Sequence, residues 1–344
     1  MKILLFADLH MCPRASIINK WGTKYPARLE NCITSINWVE RTAEELKCDV
    51  IVNLGDFFDK PDLSSETITA CNEIKWSNIP HYSIVGNHDA STSSLIFNSV
   101  NSFLSDIHKI IAEPQIMNLD TCTICFLPYV VESDRLPLEK YLETITDKSK
   151  PIIILSHNDI SGIQMGPVIS KTGFSLEEIE ANCSLFINGH LHNGQLITPK
   201  IINLGNLTGK DFGEDALKYS HSIAILDTDS LKITYIENPY AYNFYKLQVE
   251  SEQDLTILNT LKSNAVVSIK CDSVLIDTTK QKIEELKDNI IETRLIAVKK
   301  YDSSDEETAG FDLTIDHLAR FIDCCKATLN NNKILDEELA VICS

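Results

Sequence analysis

The sequence has 344 residues, of which 44% are hydrophobic, and it carries a formal net charge of −18 at pH 7. This length and composition allow roughly two domains with buried cores and exclude wholesale disorder. The acidity counts against a protein that holds nucleic acid through its own basic surface, unless bound cations or a basic partner offset the charge.

The first predicted element is a short buried strand over residues 2–7. Asp8 and His10 interrupt this apolar run, which is far shorter than the ~18–20 residues of a membrane-spanning helix. We therefore expect neither a membrane segment nor a secretory signal. Eleven cysteines at irregular spacing fit a reducing compartment better than a disulfide framework. We expect a cytoplasmic protein.

Strand and helix patterns alternate through the first two thirds of the chain. Apolar residues at helical spacing predict helices over residues 29–46, 64–76 and 93–104. Short apolar runs predict further strands over 49–54, 82–85, 123–127, 152–155, 185–187, 201–204, 222–227 and 231–236, the last two as a hairpin. The alternation predicts an α/β domain over residues 1–238, a layered β-sandwich flanked by helices.

A smaller unit is predicted to follow. Strands over 244–249, 265–270 and 294–299 alternate with helices over 252–261 and 279–290, which predicts a small α+β domain over residues 239–301. Residues 302–344 begin with an acidic run typical of a solvated linker and continue with the pattern of two short helices. These helices would either pack on the small domain or dock on a partner.

Five short polar motifs follow apolar runs in the first domain. They are Asp8-Leu-His10, Gly55-Asp56-Phe-Phe-Asp59, Gly86-Asn87-His88-Asp89, Ser156-His157 and Gly189-His190-Leu-His192. In layered α/β folds the loops at the carboxyl ends of strands converge on a ligand. The sequence therefore predicts that Asp, Asn and His side chains gather at one edge of a sheet.

No single motif is strong evidence, because a lone polar residue after a strand is ordinary turn chemistry. Four of the nine histidines lie in no motif, and we expect them in the core or in turns: His81, His108, His221 and His317. The other five fall within four of the five motifs, which chance explains poorly. A pair of cations that hydrolyses a phosphoester needs such a set, with Asp56 suited to the shared carboxylate. The mixed nitrogen and oxygen donors suit Mn, Fe, Zn or Ni better than Mg or Ca.

The five motifs, in this order, resemble those of the calcineurin-like metallophosphoesterase superfamily over residues 1–238. The resemblance implies two divalent metal ions, one held by Asp8, His10, Asp56 and His192 and the other by Asp56, Asn87, His157 and His190. It also implies two catalytic residues. His88 would contact the scissile phosphate and protonate or stabilise the leaving oxygen, and Asp89 would orient His88.

Details of the motifs favour one branch of the superfamily. The Ser/Thr phosphatases carry G-D-x-x-D-R-G and G-N-H-E, whereas here Asp59 is followed by Lys60-Pro61 and the later motif ends in Asp89. The G-D-F-F-D form, the small domain and the tail resemble the nuclease subunits that include bacterial SbcD and the phage recombination endonuclease subunit. This resemblance implies a Mn²⁺-dependent DNA exo/endonuclease of recombination and repair, in the host cytoplasm if the protein is viral. Its small domain would cap the site, its tail would dock on an SMC-like coiled-coil ATPase, and a homodimer is a further option.

Two other functional classes stay open. A phosphodiesterase or phosphatase acting on a nucleotide or phosphoprotein would fit the negative charge, because no polyanion need be held. A scaffold without activity fits less well, because every expected ligand and His88 are present. No Lys/Arg cluster is visible along the sequence, where Lys210 and Lys218 are isolated and Lys299-Lys300 is only a pair. We therefore expect weak DNA binding by the chain alone.

Overall fold

The computed structural model describes residues 1–14, 17–18, 20–91, 94–103, 107–165 and 168–298. The acidic run and the helices predicted over residues 302–344 lie outside the described residues, as does His317. Residues 1–298 form one compact unit. In the part of the chain that the structure describes, no helix is both long and apolar enough to cross a membrane.

Short strands dominate the secondary structure. The strands are β1 (Lys2–Phe6), β2 (Val50–Asn53), β3 (His81–Ile84), β4 (His108–Ile111), β5 (Gln115–Asn118), β6 (Thr123–Leu127), β7 (Ile152–Ser156), β8 (Gln164–Met165), β9 (Val168–Ile169), β10 (Leu185–Asn188), β11 (Gln195–Thr198), β12 (Ile201–Asn203), β13 (Ser222–Asp227), β14 (Lys232–Glu237), β15 (Asn243–Val249), β16 (Ala265–Asp272) and β17 (Ile290–Val298). The α-helices are α1 (Ala27–Glu45), α2 (Ser65–Cys71), α3 (Leu138–Tyr141), α4 (Leu176–Asn182) and α5 (Ile276–Glu285). Short 3-10 helices cover Ser99–Ser102, Glu132–Asp134, Glu252–Thr260 and Ser273–Leu275.

Two six-stranded sheets form the centre of the first domain. Their strand orders are β14-β13-β1-β2-β3-β4 and β11-β12-β10-β7-β6-β5. Strands β1, β2 and β3 are parallel neighbours, and so are β6, β7 and β10. The predicted hairpin of β13 and β14 is confirmed. The carboxyl ends of three strands in one sheet, and of three in the other, are therefore available to carry functional loops.

Side-chain alternation along the strands builds three cores. In β1, Ile3 and Leu5 face the core between the two sheets, whereas Leu4 and Phe6 face α1 on the outside. A further core lies under α3 and α4 on the outer face of the second sheet. The first domain is therefore a four-layer sandwich of helix, sheet, sheet and helix, which confirms the predicted fold class.

Helix α1 covers the first sheet because its apolar residues recur at helical spacing. Leu29, Cys32, Ile36 and Val39 form one stripe, and all four are fully buried against the sheet. The helix ends at Glu45, and Lys47 takes a positive φ of 53° before the chain enters β2. This geometry agrees with the helix predicted over residues 29–46.

The other two helices predicted for the first domain fit less well. The helix predicted over 93–104 is wrong within the described residues, which form only a 3-10 turn at Ser99–Ser102. The Asn98 side chain accepts the Asn101 N–H at 3.0 Å there, which stabilises a turn in place of a helix. Helix α2 begins at Ser65, after its N-cap Ser64, but ends at Cys71 instead of 76. Trp76 packs beside Phe57 instead, with ring centroids 6.2 Å apart.

Strands β15, β16 and β17 form a separate, fully parallel sheet. Leu247, Val267 and Ile269 on one face of this sheet pack under α5 and the 3-10 helix Glu252–Thr260. Ser251 and Asp254 make a capping box at the start of the 3-10 helix. The strands and helices alternate as expected for a small α+β unit, but α5 ends at Glu285 instead of 290 and β17 begins at Ile290 instead of 294. The boundaries of the unit at 239 and 301 stay predictions.

One of the histidines outside the motifs should affect stability. Both ring nitrogens of His108 are buried without a hydrogen-bond partner among the described residues, and its ring lies 4.5 Å from that of Trp76. Burial, together with the nearby His81, lowers the pKa of His108 to about 4. The unfolded chain takes up this proton below pH ~6.5, whereas the folded chain does so only near pH 4. The contribution of neutral His108 to the free energy of unfolding is therefore complete above pH ~6.5 and is lost as the pH falls towards 4.

We predict that His108→Phe reduces the loss of stability on acidification. Thermal unfolding followed by circular dichroism at pH 7 and pH 5 should show a smaller drop in Tm for this variant than for the parent. Ile110→Val, in the same strand, serves as a control and should keep the parent's drop. Equal drops for the parent and His108→Phe would contradict the assignment.

Candidate metal centre

The polar motifs all lie where parallel strands end. Asp8 follows β1, Asp56 follows β2 and Asn87 follows β3, and these three strands are neighbours in the first sheet. His157 follows β7 and His190 follows β10, which are neighbours in the second sheet. The carboxyl ends of both sheets meet at one edge of the sandwich, so the loops approach one another there.

The first group of donors contains Asp8, His10, Asp56 and His192. The Nε2 of His10 lies 2.9 Å from the Nε2 of His192, 3.9 Å from Asp8 Oδ1 and 3.7 Å from Asp56 Oδ2. Metal–ligand bonds of about 2.0–2.2 Å place neighbouring donor atoms roughly 3–3.5 Å apart. Two imidazole nitrogens at 2.9 Å would repel through their lone pairs unless a proton or a cation lay between them. The group therefore fits a divalent cation.

The second group contains Asp56, Asn87, His157 and His190. The Nε2 of His157 lies 3.2 Å from Asp56 Oδ2 and 3.2 Å from Asn87 Oδ1. The same oxygen of Asn87 lies 3.0 Å from His190 Nδ1. Asp56 Oδ2 contacts imidazoles of both groups, which is the position that a carboxylate shared by two cations requires. The structure thus brings together all seven predicted ligands.

Each imidazole of the two groups turns its outward nitrogen towards an oxygen atom. The pairs are His157 Nδ1 with Leu54 O at 2.8 Å, His190 Nε2 with Asp159 Oδ1 at 2.9 Å, His192 Nδ1 with Glu214 Oε1 at 3.4 Å, and His10 Nδ1 with Asp59 Oδ1 at 3.5 Å. In every pair the other ring nitrogen faces the centre of its group. Acceptors behind a ligating histidine fix its tautomer and ring orientation, so this arrangement is the one a metal site needs.

The backbone around the donors is strained. Among the described residues, seven non-glycine residues have positive φ, and four of them are Asp8, His10, Asp56 and His190. Such conformations cost about 1–3 kcal/mol each and persist where the surrounding structure imposes them, often at functional sites. The strain concentrates on the predicted ligands.

His88 lies beside the first group, with its ring centroid 4.7 Å from that of His10. Its Nδ1 faces the backbone carbonyl oxygen of Asp59 at 2.9 Å, which orients the ring and leaves Nε2 available to a leaving oxygen. The buried carboxylate of Asp89 accepts the N–H groups of Phe58 and Gly86 at 2.9 and 3.0 Å. The orientation of His88 by Asp89 stays a prediction.

The buried charges in this centre perturb one another. Burial would raise the pKa of the Asp56 carboxyl, but the charge and hydrogen bond of His157 hold that pKa well below its usual range. Burial would lower the pKa of His157, but the same interaction with Asp56 raises it to about 9. Burial lowers the pKa of His10 to about 3 and raises that of Asp8. The buried carboxylates depend on compensating positive charge.

Four residues near the donors escaped the sequence analysis. Asp159 and Glu214 contact ligand histidines, and Asp59 was given no role of its own. The Nζ of Lys210, an isolated residue in the sequence, lies 2.5 Å from Asp59 Oδ1. Asp159 stands two residues after His157 and could have been noticed, whereas nothing local marks Glu214 or Lys210.

Residues 1–194 match the family model described as calcineurin-like phosphoesterase. The chain belongs to the calcineurin-like phosphoesterase family. This family membership makes it a member of a class of metal-dependent hydrolases, and the donor groups of this chain suit a pair of divalent cations. When bound, such a pair activates water and stabilises charge on the phosphate. The chain's own contributions are to hold the donors, to exclude solvent around Asp56 and to present His88.

Two solved structures are similar to this chain. A protein of Thermus thermophilus is 12% identical, with a TM-score of 0.40, and the match covers 69% of this chain and 98% of that one. A dimetal phosphatase from Danio rerio is 13% identical, with a TM-score of 0.41 and the same coverage of 69% and 98%. No curated protein matches the sequence.

We predict that Asp56→Ala loses bound metal, because Asp56 is the donor common to both groups.

We also predict that His88→Ala keeps its metal and lowers turnover by about 10²–10⁴-fold, because this change removes only a proton donor. Elemental analysis after Mn²⁺ loading and an aryl phosphodiester assay check both changes. Asp277→Ala, at an exposed position on α5, is the control. Parent-level turnover by His88→Ala would contradict its role.

We predict that Asp159→Ala weakens metal binding, because His190 loses the acceptor that fixes its ring. Removing such an acceptor lowers metal affinity by about 10–100-fold. Calorimetric titration with Mn²⁺ measures the change, and Asp134→Ala, in the 3-10 helix Glu132–Asp134, is the matched control. Unchanged affinity in Asp159→Ala would show that the acceptor has no part in metal binding.

Proposed function

We propose that the chain is a metal-dependent DNA exo/endonuclease subunit that acts in recombination or repair. The proposed hydrolytic activity rests on the position of Asp56 Oδ2. This atom lies 3.2 Å from His157 Nε2 and 3.7 Å from His10 Nε2. This oxygen joins two donor groups, as two-metal hydrolysis of a phosphodiester requires. His88, next to the first group, supplies the proton for the departing oxygen.

Three features support DNA as the substrate. The motif from Gly55 to Asp59 and the ending of the later motif in Asp89 depart from the phosphatase pattern and resemble the SbcD-like nuclease subunits. A small unit with its own sheet follows the first domain, as in that family. The segment 209–216 connects the two, since Gly209 N–H donates to Tyr242 O and Ala216 N–H donates to Phe244 O. A polymeric substrate could thus contact both.

The proposed partner is an SMC-like coiled-coil ATPase, bound through residues 302–344. The support comes from the sequence, in which an acidic linker precedes two amphipathic patterns. Co-purification of the ATPase encoded nearest to this gene with the tagged full chain tests the pairing. Capture that is unchanged after removal of residues 302–344 would contradict docking through the tail.

A second candidate is a phosphodiesterase or phosphatase acting on a nucleotide or phosphoprotein. The net charge of −18 favours it, because a small substrate needs no extended cationic surface. The departures from the phosphatase motifs and the presence of the small unit count against it.

We predict that the purified full chain, alone or with its ATPase partner, degrades DNA in the presence of Mn²⁺. Linear and circular DNA, cyclic nucleotides and aryl phosphates should be assayed side by side, with His88→Ala as the inactive variant and Asp277→Ala as the active control. DNA cleavage that His88→Ala abolishes supports the nuclease. Intact DNA together with rapid hydrolysis of a small phosphoester would instead identify the second candidate.

A further inference from the structure

The exposed face of the β15-β16-β17 sheet carries three cations that are far apart in sequence. Lys246, Lys270 and Arg294 all lie on this face and are exposed. Lys246 pairs in register with Ser268, which pairs with Arg294, while Lys270 stands two residues further along β16. With strands about 4.8 Å apart and a rise of about 3.3 Å per residue, the three Cα atoms form a triangle roughly 8–10 Å on a side.

The three cations stand out in a chain that has 31 basic and 49 acidic residues, although Glu292, two residues before Arg294, and Asp272, two residues after Lys270, also lie on this face. The face borders a cavity of about 480 Å³ lined by Phe212, Leu247, Gln248, Ser268, Ile296 and the three cations, with no carboxylate among them. By contrast, the cleft beside Cys12 and Arg14 contains Asp59, Asp62 and Glu66. Among the described residues, none of the three cations forms an ion pair within 4.0 Å. Their charge is therefore available to a ligand.

A short loop joins this basic face to the metal centre. Phe212 lines the cavity, and its ring packs edge-on against Phe244 of β15 at 5.1 Å. Two residues before it, Lys210 reaches Asp59, and two residues after it, Glu214 faces His192. The two ends of this loop thus contact residues of the metal centre, and Phe212 in its middle borders the basic face.

We propose that this face, defined by Lys246, Lys270 and Arg294, binds the phosphodiester backbone of the nucleic-acid strand that runs out of the metal centre. The proposal rests on the nuclease function and adds a binding site to it. Three cations around a cavity whose lining contains no carboxylate suit the phosphates of a strand. Phe212, between the face and the centre, offers an aromatic ring to a base of that strand.

The proposal refines the expectation of weak DNA binding by the chain alone. That expectation followed from the absence of a Lys/Arg cluster along the sequence. The parallel pairing of three strands creates a cluster that the sequence does not display. The remaining surface stays acidic, so we expect binding to be local and strongly dependent on salt.

The test compares two triple variants of the full chain that change the net charge equally. One replaces the face, as Lys246→Gln, Lys270→Gln and Arg294→Gln. The other replaces exposed lysines elsewhere, as Lys140→Gln, Lys280→Gln and Lys287→Gln. Both are made in the His88→Ala background, so that a fluorescent 20-nucleotide strand stays intact while anisotropy is measured with Mn²⁺ across a salt series.

We expect the face variant to bind at least tenfold more weakly, and its slope of log affinity against log salt to fall by about two, which corresponds to three lost phosphate contacts on a single strand. The control triple should stay within about twofold of the parent. Arg294→Gln alone should lower the slope by about 0.7 and guards against misfolding of the triple variant. Equal losses in both triples, or no loss in the face variant, would overturn the proposal.

A cleavage series separates this proposal from the nuclease function itself. In chains that keep His88, the ratio of kcat/KM for the 20-nucleotide strand to that for a dinucleotide should fall at least tenfold in the face variant and stay constant in the control triple. A parent chain that cleaves no DNA but hydrolyses an aryl phosphate refutes the nuclease function. A parent that cleaves DNA, with an unchanged ratio in the face variant, refutes the basic face alone.

Discussion

The whole site depends on how closely five loops can approach Asp56. A Cβ atom on Gly86 would lie 2.1 Å from Asp56 Oδ1, and one on Gly55 would lie 2.3 Å from His157 Nδ1. A side chain at Gly86 would push apart two loops of the first sheet, and one at Gly55 would push apart loops of the two sheets; Gly55 also has a φ of 110°. Gly55 and Gly86 are therefore conditions for the contact between the Asp56 carboxylate and the His157 imidazole, and Asp56 itself has a positive φ of 52°.

The sandwich supplies the stiffness that holds this crowding in place. The apolar residues of β1 and β2 pack on both faces, so neither strand can slide without exposing a core. At their ends, Asp8 of the first sheet accepts the His190 N–H of the second sheet through both carboxylate oxygens, at 3.1 and 2.9 Å. One ligand thus fixes the backbone that carries another. Each donor group contains residues from both sheets. The relative position of the two sheets therefore sets the distances between the donor atoms.

The sequence was informative wherever one physical signal dominated. Buried strands are short apolar runs, and the polar residues that end them had to meet because parallel neighbours share an edge. The signal failed where local hydrogen bonding competed with helical spacing, as at Asn98, and for the short outer strands, where the apolar pattern is weak. It also failed for Glu214. The carboxylate of this residue contacts His192 through the fold of a later loop, and no local sequence pattern indicates that contact. The basic face was invisible for the same reason, since its residues come from three different strands.

The positions of the charged residues matter more for function than the net charge of the chain. The acidic residues near the centre, Asp59 and Glu214, face ring nitrogens of His10 and His192 at 3.5 and 3.4 Å, so their charge acts on the donor groups rather than on the outer surface. Lys210 neutralises Asp59 from the loop that also carries Phe212. On the proposed path from the basic face to His88, Lys210 therefore offsets the negative charge of Asp59. The net charge of −18 then disfavours adsorption of nucleic acid elsewhere on the surface, and a chain of this kind can be acidic overall and still act on a polyanion.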